Sequence, residues 1–294
     1  MSISKCSAKS NLVNPFAPFD AALECAFQAN LQAALQEDVG SGDLTASMLG
    51  IERVTARVIV RCVAVLCGAP WFDGIMQNVD PSIVIEWHYA EGDLMREDSA
   101  VCTIDAPART LLTAERCALN FLQLLSGVAT STRTFVDLVK GTQAVILDTR
   151  KTLPGLRLAQ KYAVRVGGGQ NQRLALYDGI LIKENHIAAA GGVTAALMAA
   201  VALKAGVSIQ IEVESLEQLS EALAAGAVSV LLDNFSTDMM RVAVETTKGR
   251  ALLEASGGIN QETLRAIAET GVDRISIGSL TKDIVATDYS LRII

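Results

Sequence analysis

The strongest constraint on the fold is a rhythm that sets in near residue 144. Short β-branched runs alternate there with amphipathic stretches of about a dozen residues, the pattern of parallel βα units. The predicted strands are AVILDT (144–149), GILIKE (179–184), SIQIEVE (208–214), SVLLDN (229–234), ALLEAS (251–256) and RISIGS (274–279). Between the later ones lie SLEQLSEALAAGA, where Ser215 can cap the amide end, and QETLRAIAETG, which stops at Gly271. Each strand begins apolar and ends polar or glycine-rich: Asp148 and Arg150, Lys183 and Glu184, Glu212 and Glu214, Asp233 and Asn234, Glu254 and Ser256, Gly278 and Ser279. One polar strand end would only mark where a strand leaves the core. The same arrangement six times predicts a common mouth, because a parallel barrel points all its strand C-termini to one face. Six units instead of eight also exclude a standard eight-stranded barrel. The expected class is α/β, with a C-terminal open or incomplete, six-stranded parallel α/β barrel.

The first 110 residues lack this rhythm. A helix-like segment runs from about Asp20 to Leu35, VTARVIVRCVAVLCG (54–68) is β-branched, and IVIEWHYAEGD and AVCTIDAPA are short strand-like pieces between turn residues. They predict a smaller N-terminal α+β domain of open-sandwich type over 1–110, joined by 284–294, where YSLRII is strand-like. The barrel domain then covers 111–283 and opens with a long linking helix over 110–140.

Composition narrows the function. The chain of 294 residues is half hydrophobic with 4% aromatics, which suits an aliphatic α/β enzyme. Cysteines 6, 25, 62, 67, 102 and 117 form no CxxC pair and read as reduced thiols of a cytoplasmic protein. Only His88 and His186 are present, which argues against a zinc site and most serine-hydrolase triads. The first twenty residues lack the apolar core of a secretory signal. The uncharged run 187–203 is mostly alanine with an early Gly pair, and predicts a loop followed by a buried helix, not a membrane span. With 25 Lys and Arg against 32 Asp and Glu, the charge balance disfavours nucleic acid as a partner.

Against that acidic background, Arg150 to Lys183 holds seven cations and a single acid, Asp178. Arg150, Lys151, Arg173 and Lys183 stand at or near strand ends and would reach the mouth. Arg157, Lys161 and Arg165 recur at helical spacing and predict a solvent-facing stripe. Guanidinium forks and mobile ammonium groups converging on one place imply a substrate with several anionic groups. Among the acids, Glu212 and Glu214 alternate on one strand and Asp233 ends the next. Such carboxylates suit Mg²⁺, which keeps waters and bridges phosphates, and equally suit positive charge developing on a sugar carbon. The turns SGGIN (256–260) and GSLT (278–281) follow the last two strands, where barrels often hold phosphate on backbone amides. The residues alone therefore predict a barrel enzyme for a phosphorylated sugar and a polyanionic co-substrate.

Several motifs are more specific. EDVGSGDLT (37–45), AERCALNFLQLLSGVAT (114–130), DTRKTLPGLR (148–157), KYAVRVGGG (161–169), LIKENHI (181–187), the IEVES and LLDNF strands, and GVDRISIGSLT (271–281) resemble, in order, the quinolinate phosphoribosyltransferase family. The resemblance implies transfer of phosphoribosyl from phosphoribosyl pyrophosphate (PRPP) to quinolinate. The implied products are nicotinate mononucleotide, pyrophosphate and CO₂, in NAD biosynthesis. It further implies that Arg150, Lys151, Arg173 and Lys183 bind the quinolinate carboxylates or the pyrophosphate. Glu214 and Asp233 hold the ribose and Mg²⁺, directly or through water, and Ser256, Gly257, Gly258 and Gly278 take the 5-phosphate. Lys151, Lys183, Glu214 and Asp233 are the implied catalytic group. Arg116 reaches the neighbouring subunit's site in a homodimer or an assembly of dimers. The family's usual NHR after the triple glycine is here Asn171-Gln172-Arg173, so Gln172 takes the place of a histidine among the substrate-binding residues. The alternatives are a related transferase for another pyridine or aromatic carboxylate, and a silent relative that binds a phosphorylated metabolite.

Overall fold

The computed structural model of the chain describes residues 10–294; Cys6 and the first nine residues of the segment tested above for a secretory signal lie outside the described residues. The chain forms two compact units. The first takes the chain up to Ser131 together with Leu153–Gly167 and Asp283–Ile294, and the second takes Thr132–Thr152 and Gly168–Lys282.

The first unit is built on a four-stranded antiparallel sheet in the order Tyr289–Ile293, Arg53–Val60, Ala100–Pro107, Val84–Trp87. Ala56, Val58 and Val60 alternate along the second of these and are fully buried, as a half-covered strand requires. The chain's last strand pairs along it from Ala56 opposite Ile293 to Val60 opposite Tyr289. Helix Ala21–Asp38 starts where the Asp20 carboxylate accepts the Leu23 amide at 2.8 Å. Ring centroids of Phe19 and Tyr162, Phe27 and Trp71, and Trp71 and Tyr162 lie 5.2, 5.2 and 5.3 Å apart in the core.

Tyr162 comes from helix Arg157–Val166, whose residues fall within the sequence-predicted barrel stretch but which packs in the first unit. The expected solvent stripe on that helix fails at Lys161, which is only 1% exposed, while Arg165 is exposed and Arg157 intermediate. Ala159 through Val164 are all buried, so the helix is covered around most of its girth and cation spacing no longer marks a wet face.

The second unit holds six parallel strands: β1 (Val145–Leu147), β2 (Gly179–Ile182), β3 (Ser208–Val213), β4 (Ser229–Asp233), β5 (Leu252–Ser256) and β6 (Arg274–Ser276). Their order is β1-β6-β5-β4-β3-β2, and β1 and β2 do not pair, so the sheet is the predicted open barrel. Beside the free edge of β1, the Gln170 amide donates to Ile146 O and Gln170 O accepts from Asp148 N, at 2.9 and 3.2 Å. One face of the strands buries Ile211, Val213, Val230, Leu232, Leu253, Ala255, Ile275 and Ile277 in a single core with the helices that follow. The opposite face is polar, carrying Gln210, Glu212, Glu254 and Ser276, all under 9% exposed. Parallel strands covered on both sides are usually apolar on both. Here a polar interior has been kept.

In the alanine-rich run 187–203, its opening residues form helix Glu184–Ala190 instead of the expected loop. That helix meets Val193–Ala202 at a 90° bend across Gly191 and Gly192. Among the described residues no single helix is long and apolar enough to cross a membrane.

Candidate functional site

Because all six strands run the same way, their C-terminal ends share one rim. At the end of β1, Asp148 is fully buried and accepts from Asn171 Nδ2 at 2.7 Å and from the Gln172 amide at 3.0 Å. This ties the loop after the triple glycine to the rim. Arg150 and Arg173 are thereby brought near one another. Arg173 Nη1 donates to Gly179 O at 3.0 Å, and burial, then the Arg150 charge, lower its guanidinium from the usual value against the pull of Asp178. Among the described residues, Arg150 Nε is buried without a hydrogen-bond partner. Two crowded cations, one with an orphaned buried donor, make a receptor for an anion.

Lys151 reaches the rim by another route. Its stem crosses Gly278, where an added Cβ would stand 3.0 Å from Lys151 Cδ, and Thr281 Oγ1 donates to its carbonyl at 2.7 Å. The turn after β6 thus fixes the residue after Arg150. Across the rim, Lys183 Nζ pairs with Glu212 Oε2 at 3.0 Å, and the Lys183 amide donates to His186 Nδ1 at 2.9 Å at the start of helix Glu184–Ala190. Burial raises the Glu212 carboxyl, Lys183 opposes this, and Asp233 and Glu184 push it up further. Lys183, Glu212 and Asp233 therefore form one electrostatic cluster.

Glu214 does not join it as expected. β3 ends at Val213, so the alternation that would align residues 212 and 214 stops short; Glu214 is exposed, and its amide donates to Gln218 Oε1. The acid that faces Lys183 is Glu212. At the end of β5, Ser256 is followed by Gly257 and Gly258 at φ +102° and +60°. A Cβ on Gly257 would meet Asn234 Oδ1, so only glycine fits this turn, and the Asn234 amide donates to Ser256 O at 3.0 Å. Exposed amides on such a turn suit a phosphate. Arg116 is exposed on helix Ala108–Leu138, in the part of it that belongs to the first unit.

From sequence Glu212 is one of the carboxylates suited to Mg²⁺ or to a cationic sugar carbon, but the site role falls to Glu214; Glu254 and Asn234 stand only as strand ends, and Gln210 carries no expectation. The parity of SIQIEVE, with polar residues at 210 and 212 on one face, was the available signal. Among the described residues no three His, Cys, Asp or Glu side chains form a self-sufficient metal cage. The donors at hand, Asp233 beside Glu212, fit a hard cation that completes its shell with substrate oxygens and water.

Residues 43–126 match the family model for the N-terminal domain of quinolinate phosphoribosyl transferase, and 128–292 match that for its C-terminal domain. The chain is 42% identical over 258 residues to the probable nicotinate-nucleotide pyrophosphorylase [carboxylating] of Bacillus subtilis (strain 168), covering 87% of this chain and 89% of that protein. It is 42% identical over 282 residues to the nicotinate-nucleotide pyrophosphorylase [carboxylating] of Mycobacterium leprae, covering 91% and 98%. The solved structure of the nicotinate-nucleotide pyrophosphorylase from Francisella tularensis matches with a TM-score of 0.90 at 40% identity, over 95% of this chain and 99% of that one. The chain belongs to the quinolinate phosphoribosyltransferase family.

Proposed function

We propose that the rim joins quinolinate to PRPP, releasing pyrophosphate and CO₂ and leaving nicotinate mononucleotide, as a carboxylating nicotinate-nucleotide pyrophosphorylase does. The observation that carries this reading is the pairing of two unlike clusters on one rim. Arg150 and Arg173 crowd together, with Arg150 Nε unmet among the described residues, and Lys183, Glu212 and Asp233 form a second cluster at the ends of β2, β3 and β4.

In this division of labour Arg150, Arg173 and Gln172 take the quinolinate carboxylates. Lys151 and Lys183 take negative charge on the departing pyrophosphate, and the Ser256-Gly257-Gly258 turn with Gly278 holds the 5-phosphate. The bond from the anomeric carbon to pyrophosphate breaks with its electron pair on the leaving group. Glu212 and Asp233 face the positive charge left on the sugar. The ring nitrogen of quinolinate, held in line by the cations, then donates its lone pair to that carbon. The nitrogen is now quaternary, so the bond to the adjacent carboxylate can break with its electrons drawn into the ring; CO₂ leaves and the carbon takes a proton. Mg²⁺ bound to the PRPP phosphates, with Asp233 and Glu212 as protein oxygens, would neutralise the leaving group. Arg116 of one protomer serves its neighbour's rim in a homodimer. Free cysteines 25, 62, 67, 102 and 117 suit the reducing setting of the cytoplasm.

The test is turnover with quinolinate or nicotinate and PRPP, with and without Mg²⁺. Equal release of CO₂ and pyrophosphate from quinolinate supports the reading, and reaction of nicotinate alone would move the chain to a related transferase. PRPP binding without pyrophosphate release would make it a silent relative. For the shared site, Arg116→Ala mixed with Lys183→Ala should regain activity through hybrid dimers. No regain, with subunit exchange demonstrated, would discard that role.

A further inference from the structure

The polar interior of the barrel carries a chain of hydrogen bonds that runs from Gln172 to two residues with no part in the reaction above, Gln210 and Glu254. Gln172 Nε2 donates to Gln210 Oε1 at 2.7 Å, and Gln210 Nε2 donates to Glu254 Oε2 at 2.8 Å. At the other end, Gln172 Oε1 accepts the Arg173 amide at 2.6 Å. Gln210 lies on β3 and Glu254 on β5, so their backbones are separated by β4, roughly 10 Å apart in a flat sheet. That their side chains touch reflects the curl of the sheet towards its interior. Gln172 enters from the opposite side, from the loop held to the edge of β1. The three side chains therefore span the inside of the barrel and end beside Arg173, whose guanidinium meets Gly179 O at the start of β2.

The direction of this chain is set from its buried end. Glu254 is 1% exposed and is reached by the Gln210 amide, with Ser276, Arg274 and Gln172 also favouring its charged form. Burial raises this carboxyl above its usual range, and the Gln210 amide is the chief opposing influence. With Glu254 ionised both its oxygens accept, so Gln210 presents its NH₂ to Glu254 and its oxygen to Gln172. Gln172 must then present its NH₂ inward and its oxygen to the Arg173 amide. An amide at 172 has two unlike ends, and this chain chooses between them.

We propose that Gln210 and Glu254 are positioning residues for the pyridine-dicarboxylate half of the site, fixing the amide direction of Gln172 and through it the backbone that carries Arg173. A connected buried network of this kind rigidifies what it holds, and breaking it leaves neighbouring donors unmet. Neither residue touches substrate. Their loss should loosen binding of quinolinate while leaving binding of PRPP, which this proposal does not route through Arg173, near its original strength. The inference rests on the assignment of Arg173 and Gln172 to quinolinate made above.

The experiment compares Gln210→Leu, Glu254→Leu and Glu254→Gln with the unaltered enzyme, and has two readouts. The first is amide hydrogen exchange at Arg173 in the ligand-free protein, which needs no substrate. The second is KM for quinolinate and for PRPP, with kcat. Both Leu variants should raise exchange at Arg173 and raise KM for quinolinate roughly tenfold or more, with KM for PRPP and kcat changed less than about threefold. Glu254→Gln keeps an acceptor oxygen for Gln210 and should stay close to the unaltered enzyme on both readouts. Equal effects of Glu254→Gln and Glu254→Leu would overturn the hydrogen-bond direction. A parallel loss of both KM values and kcat, or unchanged exchange at Arg173, would overturn the positioning role. If Gln210→Leu does not fold, Gln210→Met, of closer shape, takes its place under the same criteria. An unaltered enzyme inactive on quinolinate would refute the substrate assignment alone, since the exchange readout still decides the chain of contacts.

Discussion

In the first unit Glu91 and Asp73 are 2% and 3% exposed and are met by neutral donors of the fold. Glu91 accepts from the amides of Gly68 and Ala69, which open helix Ala69–Val79, and from the Tyr162 hydroxyl at 3.0 Å; Asp73 accepts from Ser10 Oγ and Trp87 Nε1. In the barrel Glu212 is 8% exposed and faces the Lys183 cation and a second carboxylate, Asp233. The first pair closes off buried donors, and burial pushes the carboxyls up to about 7 for Glu91 and about 6 for Asp73. The barrel's acid holds a cation at a rim where molecules can enter. The first arrangement suits stability and the second suits the binding proposed above, and the difference lies in what meets the carboxylate, not in how deeply it is buried.

The widest separation between the two regions should come from Lys183→Ala. Its side chain is 45% exposed and adds little to the core, so activity should fall about a thousandfold while the circular dichroism spectrum is retained. A collapsed spectrum would mean that the rim also holds the fold. Next, Glu91→Ala should cost roughly 3 kcal/mol of stability by leaving two amides and a hydroxyl without their acceptor, read by urea denaturation. Turnover per folded molecule should remain, and a matching loss of turnover would erase the contrast between the regions.

Within the rim, Glu212→Gln should lower kcat/KM about a hundredfold and Glu214→Ala less than about threefold; the reverse ranking would return the role to Glu214. The smallest effect is a slope. Glu91 holds its proton in the folded chain up to about 7, above its ordinary 4.5, so between those values the folded state binds more protons than the unfolded. Stability from this group should fall as pH rises through that window, and Glu91→Gln should flatten the slope in thermal melts.

How much of this was legible depended on periodicity. The six strands and the open barrel could be read because apolar runs with polar ends repeat at helix-long intervals, which also put Lys183 and Glu212 at strand ends. Glu212 was harder, because its claim over Glu214 turned on where one strand stops, a choice made by pairing with β4 and not by the residues themselves. Lys161 departs from the expected stripe because its helix packs within the first unit, where it meets helix Ala21–Asp38 from far away in sequence. Gln210 could not be assigned a partner at all, since its bonds to Gln172 and Glu254 join residues 38 and 44 positions away.

The most direct measurement is the stoichiometry of the reaction with quinolinate and PRPP. Two anionic molecules meeting on one rim predict one CO₂ and one pyrophosphate for each quinolinate consumed, and none from nicotinate. Consumption of PRPP with no CO₂ released from quinolinate would contradict the account.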